Sequence, residues 1–157
     1  MCEYCGCQAV TVIARLTDEH DTVVAMIGEA RAAITRADPD AAAAVARRMS
    51  AVLGPHTHVE EHGLFPALAG DYPDHVDALR AEHRRIEAVL AEAAGGTPAD
   101  STWLARLAAA LYLLREHILK EQDGVFPAAL ISLGPDEWER IGQVRAAHIH
   151  ATLARPG

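Results

Sequence analysis

The sequence predicts an all-α protein, an antiparallel up-and-down four-helix bundle with a short C-terminal helix. Two observations support this prediction. Half of the residues are hydrophobic, but only 4% are aromatic, and a chain rich in alanine, leucine, glutamate and arginine favours helices because these side chains lose little rotamer freedom there. In addition, apolar residues recur at helical spacing in four long segments. A chain of 157 residues is long enough to bury one core.

Capping and turn residues separate these segments. Asp38-Pro39 is typical of a helix start, with aspartate as the N-cap and proline in the first turn. Turns rich in glycine and proline follow near 70–74 and 95–98, and Gly134-Pro135 precedes the C-terminal helix. We therefore expect four main helices, near residues 9–36, 39–69, 74–94 and 101–130.

This division predicts one bundle domain with two flanking segments. The expected boundaries are a cysteine-containing N-terminal segment at 1–8, the four-helix bundle at 9–131, and a short helix and tail at 132–157. Charge and hydropathy exclude several partners. The net charge of −8 argues against nucleic acid and anionic membranes, since both require a basic face. No apolar run approaches the roughly 20 residues that cross a bilayer.

A cytoplasmic location is the expectation from the N-terminus and the cysteines. The first residues lack the basic and apolar regions of a signal peptide. The three cysteines all lie within the first seven residues, and such an odd, clustered set is not a disulfide framework. A reducing compartment fits this pattern best.

Each of the four apolar stripes contains a histidine, and two of them also contain a glutamate. These residues are His20 in the first segment, His56 and Glu60 in the second, His83 in the third, and His117 and Glu121 in the fourth. A histidine and a glutamate four residues apart lie on one helix face. Burying four imidazoles and two carboxylates is costly without compensation, and these ligands suit iron, manganese or zinc. The pattern predicts a metal site in the core.

The second half of the chain repeats the first. The motif His-x3-Glu-x2-Gly-[Leu/Val]-Phe-Pro-Ala occurs at 56–67 and again at 117–128, and Leu-x2-Glu-His occurs at 16–20 and at 79–83. Two helical hairpins related by a pseudo-twofold axis would bring the repeated polar groups to one layer. Two carboxylates can then bridge two metals while each metal takes two histidines.

The order His, His-x3-Glu, His, His-x3-Glu, with Phe-Pro after each motif, resembles the hemerythrin-like (HHE cation-binding) family, in its bacterial form, over roughly residues 10–130. Ferritin-like bundles use Glu-x-x-His instead, and no histidine here follows a glutamate at that spacing. The resemblance implies a cofactor of two iron ions with an oxo or hydroxo bridge. It assigns His20 and His56 to one iron, His83 and His117 to the other, and Glu60 and Glu121 to both.

Two departures from the oxygen-carrying hemerythrins bear on function. Glu87 stands four residues after His83, where the carriers have a histidine. The carriers also have an aspartate five residues after the fourth-helix histidine, whereas the matching carboxylate here is Glu121, four residues after His117. The pattern is closer to bacterial members linked with peroxide, nitric oxide and iron handling. We expect a non-haem diiron protein that binds or reacts with H2O2, O2 or NO in oxidative or nitrosative stress defence, with catalase-like peroxide turnover as its enzymatic form.

Two alternatives remain at this level. One is non-enzymatic O2 or NO binding, sensing, or iron storage or delivery. The other is a structural metal bundle, which open coordination positions make the least favoured. An apolar pocket beside the metals would admit small ligands; the residues expected to line it are Ile27, Val52, Ile86 and Leu114.

Two further carboxylates are open between ligand and outer roles. Glu61 adjoins Glu60, but its counterpart in the repeat is Gln122, so we expect Glu61 to lie outside the ligand set or in solvent. Glu87 is either an added ligand beside His83 or, as favoured, a solvated helix residue.

The remaining histidines and the cysteines lie outside the repeated motif. His58 and His62 are four residues apart on a face that we expect to be solvated, and His148 and His150 are expected at the surface. The group Cys2-x2-Cys5-x-Cys7 is either a thiolate metal site, with a tail histidine as fourth ligand, or a frayed terminus.

Overall fold

A computed structural model describes residues 6–156, and over this range the chain forms five helices and no strand. Helix α2 and helix α4 each include a π-helical turn. The bounds are α1 Gly6–Thr35; α2 Pro39–Val59, continued by Glu60–Leu64 and Phe65–Leu68; α3 Pro73–Ala91; α4 Trp103–Lys120, continued by Glu121–Val125 and Phe126–Ser132; and α5 Pro135–Leu153. The first four lie within a few residues of the expected ranges.

The C-terminal helix differs from the expectation in its length. It has 19 residues, including Trp138 and Ile141, whereas the sequence predicts only a short helix and a tail at 132–157. Both of those side chains are buried. The helix then continues to Arg145, whose guanidinium bonds Glu19 on α1, and this contact between distant parts of the chain leaves no trace in the apolar periodicity.

The two π-helical turns follow from the duplicated Phe-Pro. In each turn the phenylalanine N–H donates to the carbonyl of the glutamate five residues earlier, from Phe65 to Glu60 and from Phe126 to Glu121. The next residue is a proline, which has no N–H and whose ring clashes with the carbonyl four residues before it, so the helix widens there. A wide turn therefore begins at each predicted glutamate ligand.

Aspartate side chains accept backbone hydrogen bonds near the starts of two helices, one of them at the predicted cap Asp38. Asp38 caps α2, because its Oδ1 accepts a hydrogen bond of 3.0 Å from the N–H of Ala41. Before α4, the Asp100 carboxylate accepts from the N–H of Thr102 at 2.8 Å. Both bonds satisfy donors that the helix itself leaves unpaired.

Two apolar clusters fill the interior. The first surrounds the buried Trp103 and includes Val23, Leu53, Ile86 and Leu114. The second surrounds Phe65, Phe126 and Trp138. Along α1, α2 and α3, the core histidine separates residues of one cluster from residues of the other. The predicted polar residues thus form a layer between two apolar ones.

Contacts between helices run in a closed circuit. Helix α1 packs on α2, α2 on α3, α3 on α4, and α4 on α1, while α5 packs on α1 and α2. None of the helices in residues 6–156 combines the length and apolar character that spanning a membrane requires.

Candidate metal centre

The structure brings all six predicted metal-site residues together. Each side chain is buried, with no residue more than 5% exposed. They form two groups that share both glutamates: His20, His56, Glu60 and Glu121, and Glu60, His83, His117 and Glu121. Within each group, one ligand atom from each residue lies within 4.8 Å of all the others.

Each glutamate faces one histidine from each half of the chain. Glu60 places Oε1 at 3.0 Å from His56 Nε2 and Oε2 at 3.2 Å from His83 Nε2. Glu121 places Oε1 at 2.8 Å from His117 Nε2 and Oε2 at 3.0 Å from His20 Nε2. The two oxygens of one carboxylate therefore point toward different histidine pairs.

The inward-facing atoms lack the hydrogen bonds that burial normally requires. Within residues 6–156, no partner of acceptable geometry reaches either nitrogen of His20, His117 Nε2, or any carboxylate oxygen of Glu60 and Glu121. Each such unpaired group costs about 1–3 kcal/mol. The short nitrogen–oxygen distances are thus close approaches around a shared space. Imidazole nitrogens and carboxylate oxygens in this arrangement fit a divalent transition-metal ion, which makes the cluster a candidate metal site.

Without metal, protons balance the buried carboxylates. Burial lowers the pKa of His56, but the charge of Glu60 and the hydrogen bond to Glu19 outweigh it and raise this pKa to about 10. Burial also opposes protonation of His117, yet the charge of Glu121 raises its pKa to about 9. Because a ligating imidazole nitrogen must be unprotonated, metal binding at this candidate site would release protons.

Three glutamates outside the core cluster accept hydrogen bonds from the Nδ1 atoms of three of its histidines. His56 Nδ1 donates to Glu19 at 2.8 Å and His117 Nδ1 donates to Glu82 at 2.8 Å. His83 Nδ1 donates to Glu61 at 2.9 Å, so Glu61 lies behind a predicted ligand, as expected of an outer residue. A bond at Nδ1 fixes the tautomer and leaves Nε2 to face the centre.

The sequence analysis assigned no role to Glu19 and Glu82. A signal was present, because both residues precede a predicted ligand in the duplicated Leu-x2-Glu-His. Their partners could not be inferred from it, since each glutamate bonds a histidine of the neighbouring helix and not the one beside it in the chain.

Comparison with known families agrees with this geometry. The sequence profile of the hemerythrin HHE cation binding domain matches residues 11–129. The chain belongs to this hemerythrin family. Searches among curated proteins and among solved structures gave no significant match. All six buried residues lie within the hemerythrin domain, whereas α5 lies beyond it.

Helix α5 nevertheless completes the surroundings of the hemerythrin site. Arg145 donates two hydrogen bonds to the Glu19 carboxylate, at 2.6 and 3.0 Å. Burial raises the pKa of Glu19, but the bonds to His56 and Arg145 outweigh it and lower this pKa to about 2. In the second half, Lys120 bonds Glu82. The Lys120 side chain is 53% exposed and that of Arg145 only 15%.

The duplicated phenylalanines cover the histidines of the opposite half. Phe126 stacks on His20 with ring centroids 5.5 Å apart and planes 9° from parallel. Phe65 stacks on His83 at 5.6 Å and 15°. Each aromatic ring thus shields one imidazole of the hemerythrin site and fixes its position.

A small cavity adjoins the four histidines. Its volume is about 10 Å³, close to the space that one water molecule occupies. Apart from the histidines, its lining consists of Leu53, Thr57, Ile86, Glu87, Leu114 and Ile118. Two of the four expected lining residues, Ile86 and Leu114, are present. Ile27 and Val52 are not; on α2 the lining residue is Leu53, which is buried, whereas Val52 is half-buried.

The other residues left open by the sequence occupy the surface. Glu87 is an exposed residue at the edge of the cavity. His62 and His150 are exposed, as expected, while His58 and His148 are half-buried against each other. Cys7 is exposed, and Cys2 and Cys5 lie outside the described residues.

Proposed function

We propose that this hemerythrin-domain protein is a non-haem diiron protein that binds or reacts with H2O2, O2 or NO. The observation that carries the proposal is the position of Glu60 and Glu121, each with one oxygen toward each histidine pair. His20 and His56 would hold one iron and His83 and His117 the other, with both glutamates shared. The oxo or hydroxo bridge that the family resemblance implies would complete the cofactor.

We also propose that α1–α4 form an antiparallel up-and-down bundle, as one domain at 9–131 between the flanking segments 1–8 and 132–157. The closed circuit of helix contacts supports this topology. The connections from α1 to α2 and from α2 to α3 span only a few residues, and short connections make successive helices antiparallel neighbours.

The chain's own residues would bind, orient and shield the irons. Two irons supply a pair of redox-active ions that can exchange electrons with a small oxidant. The outer residues Glu19, Glu82 and Glu61 hold three imidazoles in the orientation that presents Nε2 inward.

The cavity beside the histidines supports a small ligand. Its volume of about 10 Å³ compares with the roughly 300–1,000 Å³ of pockets for larger organic molecules. Leu53, Ile86 and Leu114 make its wall apolar, which limits competing water. A ligand of two to four atoms is therefore favoured over an organic substrate.

Peroxide turnover tests the enzymatic form of the proposal. Iron-loaded protein would receive H2O2 while an oxygen electrode follows O2 release. We expect sustained release that disappears in Glu121→Ala and persists in Asp123→Ala, which alters an exposed carboxylate of the same π-helical turn. Iron-loaded protein without O2 release would contradict peroxide turnover.

The non-enzymatic alternative predicts a different result in the same sample. The small cavity also suits reversible binding of O2 or NO, as in sensing, and the buried cluster would suit storage of iron for delivery. Spectral changes that reverse when NO is removed, without turnover, would favour this alternative. Either form would serve oxidative or nitrosative stress defence, which we place in the cytoplasm in agreement with the cysteine pattern.

A further inference from the structure

Three histidines outside the core centre meet on the surface between α2 and α5. The rings of His58 and His62 lie with centroids 4.4 Å apart, and those of His58 and His148 lie 4.2 Å apart. His58 is two residues from both His56 and Glu60, and on a helix this spacing directs its side chain away from theirs. The cluster is therefore separate from the core centre.

We propose that His58, His62 and His148 form a second metal site, for a divalent transition-metal ion of the zinc, nickel or copper type. Two histidines at positions i and i+4 of a helix are a common zinc-binding pair, and a third imidazole from another helix supplies three nitrogen ligands. Three protein ligands with one position left for water is a common zinc arrangement.

The spacing of the surface rings matches that of the core pairs. His20 and His56 have centroids 4.6 Å apart, and His83 and His117 have centroids 4.5 Å apart. These are the pairs proposed above to share a metal. The planes of His58 and His148 lie 28° from parallel, and within residues 6–156 only the core groups bring three or more ligand atoms within 4.8 Å of one another. Binding of one ion would therefore require these partly exposed side chains to rotate so that their nitrogens converge.

The surroundings leave these imidazoles available as ligands. Within residues 6–156, no carboxylate forms an ion pair with any of the three rings, in contrast to the core histidines. His62 is exposed, and His58 and His148 are half-buried, so an ion can reach them from solvent. Imidazole nitrogens without competing carboxylates favour zinc, nickel and copper over calcium or magnesium.

The packing of α5 determines where His148 lies. Ile141, seven residues earlier, sits against Gly63, where an added Cβ would approach Ile141 Cγ2 to 3.3 Å. A bound ion would therefore connect α5, which lies beyond the hemerythrin domain, to α2 within it. Because such an ion binds only when the two helices are packed together, it would stabilise their contact.

Zinc titration of the iron-loaded protein tests the site. Iron occupies the core beforehand, and N-ethylmaleimide caps the cysteine thiols so that they do not compete. We expect calorimetry to detect one zinc ion per chain, with binding at least about tenfold weaker in His148→Ala and in His62→Ala, since each variant removes one of three ligands.

His150→Ala is the matched control, because it removes an exposed histidine from the same helix and should leave zinc affinity unchanged. His62 is exposed, so its variant tests the site even where His148→Ala disturbs the packing of α5. Absence of zinc binding in the starting protein, equal affinity in His62→Ala, or an equal loss in His150→Ala would each overturn the proposal. Iron content, measured in every sample, tests the core centre separately.

Discussion

In the first half of the chain, Arg145 of α5 holds Glu19, whereas in the second half Lys120 of α4 holds the equivalent Glu82. Gly63 is buried beneath Ile141, whereas a Cβ added at its counterpart Gly124 would meet no heavy atom of residues 6–156 within 4 Å, apart from its own helix backbone and chain neighbours. An open groove of about 620 Å³ lies beside Gly124. The ligand layer is thus duplicated, but its surroundings are not.

A second difference concerns the hydrogen bonds at the Nδ1 atoms of the core histidines His83 and His20. His83 Nδ1 bonds Glu61, whereas His20 Nδ1 has no partner among residues 6–156, and the position equivalent to Glu61 is Gln122. Duplication thus supplies two equivalent sets of core histidines and glutamates, and α5, which occurs once, makes their environments unequal.

The largest effect is expected from the shared glutamates. Glu60→Ala and Glu121→Ala should each abolish binding of both irons, because each carboxylate faces one histidine of each half. Iron content per chain measures this result, with Asp123→Ala as the control. Loss of a single iron in either variant would show that each half binds its metal independently.

A large pH effect is expected for the metal-free protein. The pKa values of His56 and His117 rise from about 6.5 to about 10 and about 9 on folding. Protonation therefore stabilises the fold fully below pH 6.5, and this contribution is lost as the pH rises toward 9 and 10. Urea unfolding between pH 6.5 and 10 should show a falling free energy of unfolding.

Iron-loaded protein is the control for this pH series. Metal replaces the protons on the ligating histidines, so its stability should change much less over the same range. A metal-free protein whose stability stays constant or rises with pH would contradict the proton balance described here.

A smaller effect should distinguish the cations behind the two outer glutamates. Arg145→Met should weaken iron binding about tenfold, because changes to residues that support ligands cost roughly 10–100-fold and Arg145 is largely buried. Lys120→Met should have less effect, since the exposed ion pair contributes little.

Competition with an iron chelator measures both affinities. Arg140→Met provides the control on α5, as Arg140 is exposed. Equal weakening by Arg145→Met and Lys120→Met would mean that α5 does not distinguish the two halves.

The smallest effect concerns the two equivalent glycines. Gly124→Ala should raise the free energy of unfolding by about 0.5–1 kcal/mol, because alanine loses less backbone entropy in a helix and meets no neighbour. Gly63→Ala should show no such gain, since its Cβ would press on Ile141, including the backbone Cα at 3.4 Å. Denaturant unfolding of both variants measures the difference, and equal gains would contradict the packing of α5 on α2.

The sequence predicts the elements that depend on local spacing. The four main helices follow from apolar periodicity, which is a property of each helix by itself. The six clustered residues follow from the histidines and glutamates in those apolar stripes and from the repeat that relates the two halves of the chain. The π-helical turns were not predicted, although the Phe-Pro that causes them was visible. Periodicity averaged over a helix does not register one wider turn.

Contacts between residues far apart in the chain could not be predicted from the sequence. The bond from His56 to Glu19 joins residues 37 apart, and that from Arg145 to Glu19 joins residues 126 apart. Neither spacing has a periodic signature. The same limit applies to His58 and His148, whose contact depends on how α5 packs, and to the choice of Leu53 over Val52 in the cavity wall.

Anomalous X-ray diffraction at the iron absorption edge, from crystals of the iron-loaded protein, is the most direct test of the central claim. Six buried side chains with shared glutamates predict two iron peaks per chain, one beside His20 and His56 and the other beside His83 and His117. A single iron peak per chain, or no iron peak at this cluster of histidines and glutamates, would contradict the two-metal centre.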